Sequence, residues 1–324
     1  MTTGEEFAGT LLLMVPRVLN DEWMEAFRTV LPKATIYSFA HDQGKYDVKD
    51  VEILVLTKPA PGDIAKLPHL KLIVSLSRGV DPLLKDATWD RSIPVVRLLD
   101  PSATMSMVES CLAHVLVAHR FHNDYRRQQQ SATWKKIPHV VARNRRISVL
   151  GLGDLGLACA NELARFDFDV AGWARSDRPR PSADPRIQMF HGPDGFHTIL
   201  RRSDILVILL PLTPDTQNLL NKATLSLLPA TATVINLGRG PVIVEQDLLE
   251  LLDDGHISHA ALDVFCVEPL PKENPFWQHP RVTVIPHMGA DGDPLTQASH
   301  IHDHLCRLAA GETLLNLVDT KTGY

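Results

Sequence analysis

The sequence predicts an α/β protein made of two doubly wound, parallel-sheet domains, and three observations carry that expectation. Short β-rich apolar runs alternate with helical patterns along the whole chain, the signature of parallel strands covered by helices. The chain has 324 residues, about twice the usual length of one domain. A glycine-rich strand–turn–helix around Gly151 opens a second series of such runs near the middle.

The first hundred residues offer strands at 11–15, 35–39, 53–56, 72–76 and 95–98. Between the first two, Trp23, Phe27 and Val30 recur on one helical face, with Asn20 and Asp21 as candidate caps. A long helical stretch follows over 105–120. Residues 124–145 are polar and basic and carry Trp134; with neither strand alternation nor an apolar stripe, they read as an arm or linker. The second series begins at Ile147: strand 147–150, helix 155–166, strand 169–173, then strands at 205–209, 233–236, 260–262 and 282–285. A last helix, 295–310, carries apolar positions suited to docking back on the first domain. No repeat of solenoid period interrupts this order.

Composition narrows the function. With 44% hydrophobic and 22% charged residues, the chain is of ordinary globular make-up. A formal net charge of -5 gives no electrostatic case for nucleic acid or an anionic membrane, so any bound anion must be held by a local site. Cys111, Cys159, Cys266 and Cys306 are far apart and form no C-x-x-C pair, which argues against a disulfide framework or structural zinc and for a reducing, cytoplasmic setting. The polar start and the short apolar run at 10–15 do not make a signal peptide or a membrane span. The 15 histidines mostly stand alone without metal-ligand spacing, so no metal site is expected.

The turn Gly151-Leu152-Gly153-Asp154-Leu155-Gly156 lies between a strand and a helix. Its first glycine permits a tight turn, its second lets backbone approach a pyrophosphate, and its third lets helix and strand pack closely. The helix N-terminus then offers free N–H groups to phosphates. This predicts a dinucleotide site. An acid for the ribose hydroxyls should end the next strand, but that position is Ala174, followed by Arg175 and Ser176. A guanidinium and a hydroxyl suit a 2′-phosphate, so NADP(H) is preferred. The alternative is that Arg175 is a surface arginine and Asp177 takes the ribose, which leaves NAD(H) possible.

Seven stretches together resemble the D-isomer-specific 2-hydroxyacid dehydrogenase family, nearest in look to its bacterial glyoxylate/hydroxypyruvate reductases. They are Ser77-Arg78-Gly79-Val80-Asp81, the glycine turn, residues 210–216, Asn236-Leu237-Gly238-Arg239-Gly240, residues 261–265, Glu268-Pro269-Leu270-Pro271 and Pro286-His287. Their order and spacing are the family's, over nearly the whole chain. The resemblance implies a flavodoxin-like substrate domain from residues 1–101 plus 291–324, a Rossmann cofactor domain from 102–290, and catalysis between them. It implies that Arg239, Glu268 and His287 are catalytic, and that Arg78, Gly79 and Val80 with Arg239 bind the substrate. It also implies Asp263 against the nicotinamide carboxamide, Leu210, Pro211 and Thr213 along the cofactor, and a homodimer joined through the cofactor domains with 124–145 contributing.

The chemistry asks for the same three residues. Reducing a 2-oxoacid needs a cation to bind and polarise it and a proton donor for its carbonyl oxygen. Arg239, in a turn after a strand, can fork onto carboxylate and keto oxygen. Histidine is the side chain suited to acid–base work near neutrality, which makes His287 the candidate, and Glu268 can fix its tautomer. Taken singly, each has a plainer reading: a loop arginine, a solvated carboxylate, a satisfied histidine. Asp263 can equally be a loop carboxylate, and Leu210, Pro211 and Thr213 packing and turn residues. The chain departs from the family at Arg78, at Ser110 beside Glu109, and after His287, where Met288-Gly289-Ala290-Asp291-Gly292-Asp293 replaces a small, threonine-rich run. Two alternatives follow: a reductase of larger or doubly anionic 2-oxoacids, favoured by Arg78, or a nucleotide-sensing interaction protein like the corepressors that share this fold.

Overall fold

The structure is a computed structural model that describes residues 7–16, 19–77 and 79–320. It divides into two compact units, Met1–Ala103 with Gly292–Tyr324, and Thr104–Asp291. The chain begins with β1 (Thr10–Met14), α1 (Asn20–Val30), β2 (Thr35–Ser38), β3 (Ile53–Leu56), β4 (Leu72–Ser75), α2 (Asp81–Lys85) and β5 (Val95–Arg97). It continues with α3 (Pro101–His119), whose first turn holds the unit boundary, α4 (His122–Gln130), β6 (Arg146–Leu150), α5 (Asp154–Arg165), β7 (Asp169–Ala174) and β8 (Gln188–His191). Then come α6 (Gly192–Arg202), β9 (Ile205–Ile208), α7 (Lys222–Leu225), β10 (Ala232–Asn236), α8 (Glu245–Asp253), β11 (Ile257–Leu262) and β12 (Val282–Val284). The last helix, α9 (Pro294–Ala309), belongs to the first unit.

The first unit is a parallel five-stranded sheet in the order β2-β1-β3-β4-β5, the flavodoxin-like arrangement the sequence predicts. Successive side chains of a strand point to opposite faces, so the fully apolar strands feed two cores. Leu11, Leu13, Ile53 and Leu72 meet Trp23 and Phe27 of α1 and Ile301 and Leu305 of α9. Leu12, Leu54 and Ile73 meet Ile64, Leu83 and Trp89 on the other face. α9 thus docks where its apolar stripe suggests. It is capped by Asp293, whose carboxylate accepts from the Thr296 backbone N–H and hydroxyl, both at 2.7 Å. Asn20 does not cap α1. It is buried and accepts a 2.6 Å bond from the Ser38 hydroxyl, while Leu19 occupies the cap position without a side-chain bond. A buried amide is held by its tertiary partner here, and local capping chemistry yields to it.

The second unit is a parallel seven-stranded sheet in the order β12-β11-β10-β9-β6-β7-β8, which reverses direction at β6, the Rossmann switch point. β8 is not anticipated from sequence: it is an edge strand, and Gln188, Met189 and His191 are exposed. The segment 124–145 also differs from expectation, because α4 forms over its first part. No residue of α4 is buried, so it has no apolar stripe to read. In the core under α3 and α5, Cys111 and Cys159 meet although 48 positions separate them; the Cys159 thiol and burial push the Cys111 thiol up. No helix among the described residues is long and apolar enough to cross a membrane.

Candidate active site

In the second unit the residues singled out for chemistry follow the carboxyl ends of adjacent strands. From one edge inward come His287 after β12, Asp263 and Glu268 after β11, and Arg239 after β10. Residues 210–213 follow β9, the glycine turn follows β6, and Arg175 follows β7. Ligands of open α/β sheets bind at this edge, beside the switch point between β6 and β9.

Each glycine of the turn has its own constraint. Gly151 has φ +99°, and a Cβ there would lie 2.6 Å from the Leu209 carbonyl oxygen. A Cβ on Gly156 would lie 1.8 Å from the Gly151 carbonyl oxygen, so only glycine lets α5 close on the turn. Gly153 faces open space and caps α5 without a side chain. Asp154 and Leu155 form the helix's first turn. The open backbone at Gly153 and the free N–H groups of the α5 N-terminus fit a dinucleotide pyrophosphate.

Beyond β7, Arg175 donates from Nη1 to Asp215 at 3.0 Å, and Ser176, Asp177 and Arg178 are exposed. Sequence reading missed Arg180, which reaches back to the turn: its Nε donates to the Leu152 carbonyl at 3.2 Å and its Nη1 to the Arg178 carbonyl at 2.9 Å. Nothing local marks it among four nearby arginines. Leu210 is buried in the core cluster of this unit, so what it can offer a ligand is its backbone. Pro211 is exposed, and Thr213 is tied by its N–H to the Thr216 hydroxyl at 2.8 Å.

The Arg239 turn is stapled from within. Asn236, 1% exposed, donates to the Arg239 carbonyl at 3.1 Å and accepts from the Gly238 N–H at 3.1 Å. Its signal was an amide ending an apolar strand. A Cβ on Gly240 would lie 2.0 Å from the Phe265 carbonyl carbon, which brings the Arg239 turn against the chain leading to Glu268. Arg239 is half-buried and its Nη1 bonds the Gly238 carbonyl at 2.8 Å.

Glu268 and His287 are brought together. Glu268 Oε2 lies 2.8 Å from His287 Nδ1, while Oε1 accepts the Phe265 N–H at 3.0 Å, so the carboxylate is fixed at both oxygens. With Nδ1 engaged, the imidazole turns Nε2 to whatever binds beside it. His287 has φ +54°, a left-handed conformation that carries a backbone cost. Asp263 holds this bend: buried at 1% exposure, its carboxylate accepts the Met288 N–H at 2.8 Å and the Gly289 N–H at 2.9 Å. Nearby, burial and the Asp263 carboxylate raise the Asp291 carboxyl, against the pull of His287.

The remaining expectations lie in the first unit. Arg78 falls outside the described residues. Gly79 and Val80 follow β4, and Val80 is buried and precedes α2, so it too presents backbone. Among the described residues, no three His, Cys, Asp or Glu side chains gather as a metal site.

Comparison with known proteins identifies relatives of this chain. Residues 112–289 match the family described as D-isomer specific 2-hydroxyacid dehydrogenase, NAD binding domain. A glyoxylate/hydroxypyruvate reductase A of Serratia proteamaculans is 33% identical over 309 residues, 94% of this chain and 96% of that protein. Among solved structures, a D-isomer specific 2-hydroxyacid dehydrogenase of Xanthobacter autotrophicus Py2, in complex with NADPH and MES, superposes with TM-score 0.89 at 38% identity, covering 98% of this chain and 100% of that one. An NADPH-dependent glyoxylate/hydroxypyruvate reductase of Sinorhizobium meliloti, in complex with NADP and sulfate, gives TM-score 0.90 at 31% identity, with coverage of 98% and 100%. The chain belongs to the D-isomer-specific 2-hydroxyacid dehydrogenase family, as an NAD(P)-dependent enzyme.

Proposed function

We propose that the enzyme reduces a small 2-oxoacid of the glyoxylate or hydroxypyruvate type to the D-2-hydroxyacid, with NADPH preferred over NADH. The observation that carries this reading is the 2.8 Å contact of Glu268 with His287, with the Arg239 turn packed at Gly240 against the Phe265 backbone that leads to Glu268. NADPH, when bound, supplies hydride to the carbonyl carbon. Arg239 binds the carboxylate and carbonyl oxygen and stabilises the negative charge that grows on that oxygen. Protonated His287 gives its Nε2 proton to the oxygen, so hydride and proton together complete the two-electron reduction. Glu268 keeps the ring oriented and offsets its charge while it is protonated. Asp263 positions the His287 bend and is also assigned to the nicotinamide carboxamide. The amides of Gly79 and Val80 are assigned to the substrate carboxylate on the resemblance alone.

The glycine turn holds the pyrophosphate, and Arg175 with Ser176 takes the 2′-phosphate. The relatives with NADPH and NADP in their structures support this choice. We further propose a cytoplasmic homodimer to which 124–145 contributes; α4 without a buried residue and a fully exposed Trp134 support a partner for that segment.

The test is a substrate panel of glyoxylate, hydroxypyruvate, pyruvate, phenylpyruvate and 2-oxoglutarate, with NADPH and NADH, on wild type and Arg175→Ala. Glyoxylate and hydroxypyruvate should lead with NADPH, and Arg175→Ala should raise the KM for NADPH by roughly tenfold or more, the worth of one charge-assisted bond. A lead for 2-oxoglutarate contradicts the substrate class. Equal use of both cofactors contradicts the cofactor choice. No turnover of glyoxylate or hydroxypyruvate with either cofactor contradicts the proposed reaction.

A further inference from the structure

The guanidinium assigned to the 2′-phosphate already has an anionic partner of its own chain. Arg175 Nη1 donates to Asp215 Oδ2 at 3.0 Å. The two side chains start from different strand ends, Arg175 just after β7 and Asp215 in the loop after β9, and β6 lies between those strands. The ion pair therefore crosses the end of the strand whose turn fits the pyrophosphate. Strands are spaced roughly 4.8 Å apart, so two spacings is a distance that an arginine and an aspartate span together.

The Asp215 side is held in place. The Thr216 hydroxyl donates to the Pro211 carbonyl at 2.6 Å and accepts the Thr213 N–H at 2.8 Å, while the Gln217 N–H bonds the Thr213 carbonyl at 2.9 Å. Those bonds close the loop on both sides of Asp215, so its backbone stays in place and its carboxylate remains within reach of the subsite when Arg175 moves. The pair itself is weak: its side chains are 75% and 69% exposed, and water and salt screen such a contact.

Resting on the cofactor reading above, we infer that Asp215 is the exchangeable counter-ion of the 2′-phosphate subsite and tunes the preference between the phosphorylated and unphosphorylated cofactors. A phosphate group carries close to two negative charges and three acceptor oxygens, so it takes Arg175 from a single exposed carboxylate. The carboxylate then remains beside the phosphate and opposes it. A 2′-hydroxyl has no charge for Asp215 to repel. Asp215 therefore weakens binding of the 2′-phosphate selectively and eases its release.

For a carboxylate and a phosphate dianion sharing one guanidinium, roughly 5–6 Å apart in salt-screened water, the repulsion corresponds to roughly a three- to tenfold change in affinity. Asp215→Asn removes the charge and keeps the shape, and its exposed position makes it neutral for folding. Calorimetric titration with adenosine 2′,5′-bisphosphate and with adenosine 5′-monophosphate reads the subsite without turnover. Asp215→Asn should bind the bisphosphate roughly three- to tenfold more tightly, leave the monophosphate unchanged, and lose most of that gain at about 0.5 M salt. The NADPH-to-NADH ratio of kcat/KM should rise in step. Unchanged or weaker bisphosphate binding overturns the inference, the weaker case because Asp215 would then be orienting Arg175. Arg175→Ala separates the two levels. If it leaves bisphosphate affinity intact, the assignment of Arg175 to the phosphate fails and this inference with it. If it abolishes the preference while Asp215→Asn changes nothing, only the role of Asp215 fails.

Discussion

Replacing Gly156 by alanine would put a methyl carbon 1.8 Å from the Gly151 carbonyl oxygen, whereas the same change at Gly153 meets no atom within 4 Å. The Gly156 contact is about 1.6 Å short of an ordinary 3.4 Å approach, so α5 must withdraw from β6 or the turn must deform. α5 is bedded in a core with Ala160 and Leu163 at 0% exposure, which leaves no slack for that movement. Overpacking of this kind costs about 1–3 kcal/mol. In a unit of this size that lowers Tm by roughly 3–10 °C. Gly153 has φ -76° and ψ -168°, which alanine adopts without strain, and the unfolded chain loses freedom, so Gly153→Ala should melt at or slightly above wild type. Its methyl would instead stand where backbone must approach the pyrophosphate, and NADP+ affinity should fall by about tenfold or more, about 1.4 kcal/mol. Thermal melts of the cofactor-free proteins and calorimetric NADP+ titrations read the two effects separately. A Gly156→Ala protein that melts with wild type, or a Gly153→Ala protein that binds NADP+ as wild type does, would refute the reasoning.

Asp263→Ala should lower the Tm of the cofactor-free enzyme and its kcat, because the part-buried Met288 N–H and the buried Gly289 N–H lose a charged acceptor worth about 1.5–3 kcal/mol each; unchanged stability would mean that Asp263 serves only the cofactor. Acid should destabilise the second unit between pH 6.5 and 4. Burial, helped by Arg145 at His119 and by Arg127 at His259, lowers both imidazoles from 6.5 to about 4. Below pH 6.5 the unfolded chain takes up protons that the folded one refuses, so stability is full above 6.5 and falls as pH drops, by roughly 2 kcal/mol per histidine at pH 5. His259→Gln should lessen that loss in melts at pH 7 and 5, and equal melting of the wild type at both would contradict it.

How far the sequence can be read depends on whether a feature is local. β3 and β9, Ile-Leu-Val-Leu and Ile-Leu-Val-Ile, are buried on both faces and announce themselves by composition. β8 lies at an edge with little to bury, and α4 has nothing to bury, so neither writes a pattern into the chain. The same division runs through the site. Arg239, Glu268 and His287 stand within a few residues of strand ends, where a reader looks for chemistry. The bonds from Asp263 to Met288 and Gly289, and from Arg175 to Asp215, join residues 25 to 40 positions apart and depend on which strands are neighbours. Asn20 misleads for the same reason: its partner Ser38 is 18 residues on, and that contact outweighs a cap. Such bends and counter-ions belong to the sheet order.

The central claim, that His287 delivers the proton in a site whose cofactor half is independent of it, is tested most directly by His287→Ala. NADP+ affinity by calorimetry and the rate of NADPH-dependent glyoxylate reduction would be measured on the same preparation across pH. The account predicts NADP+ binding within about twofold of wild type and a reduction rate lower by roughly a hundredfold or more, the usual scale for a proton-transfer group. Reduction at the wild-type rate across the pH range would contradict it.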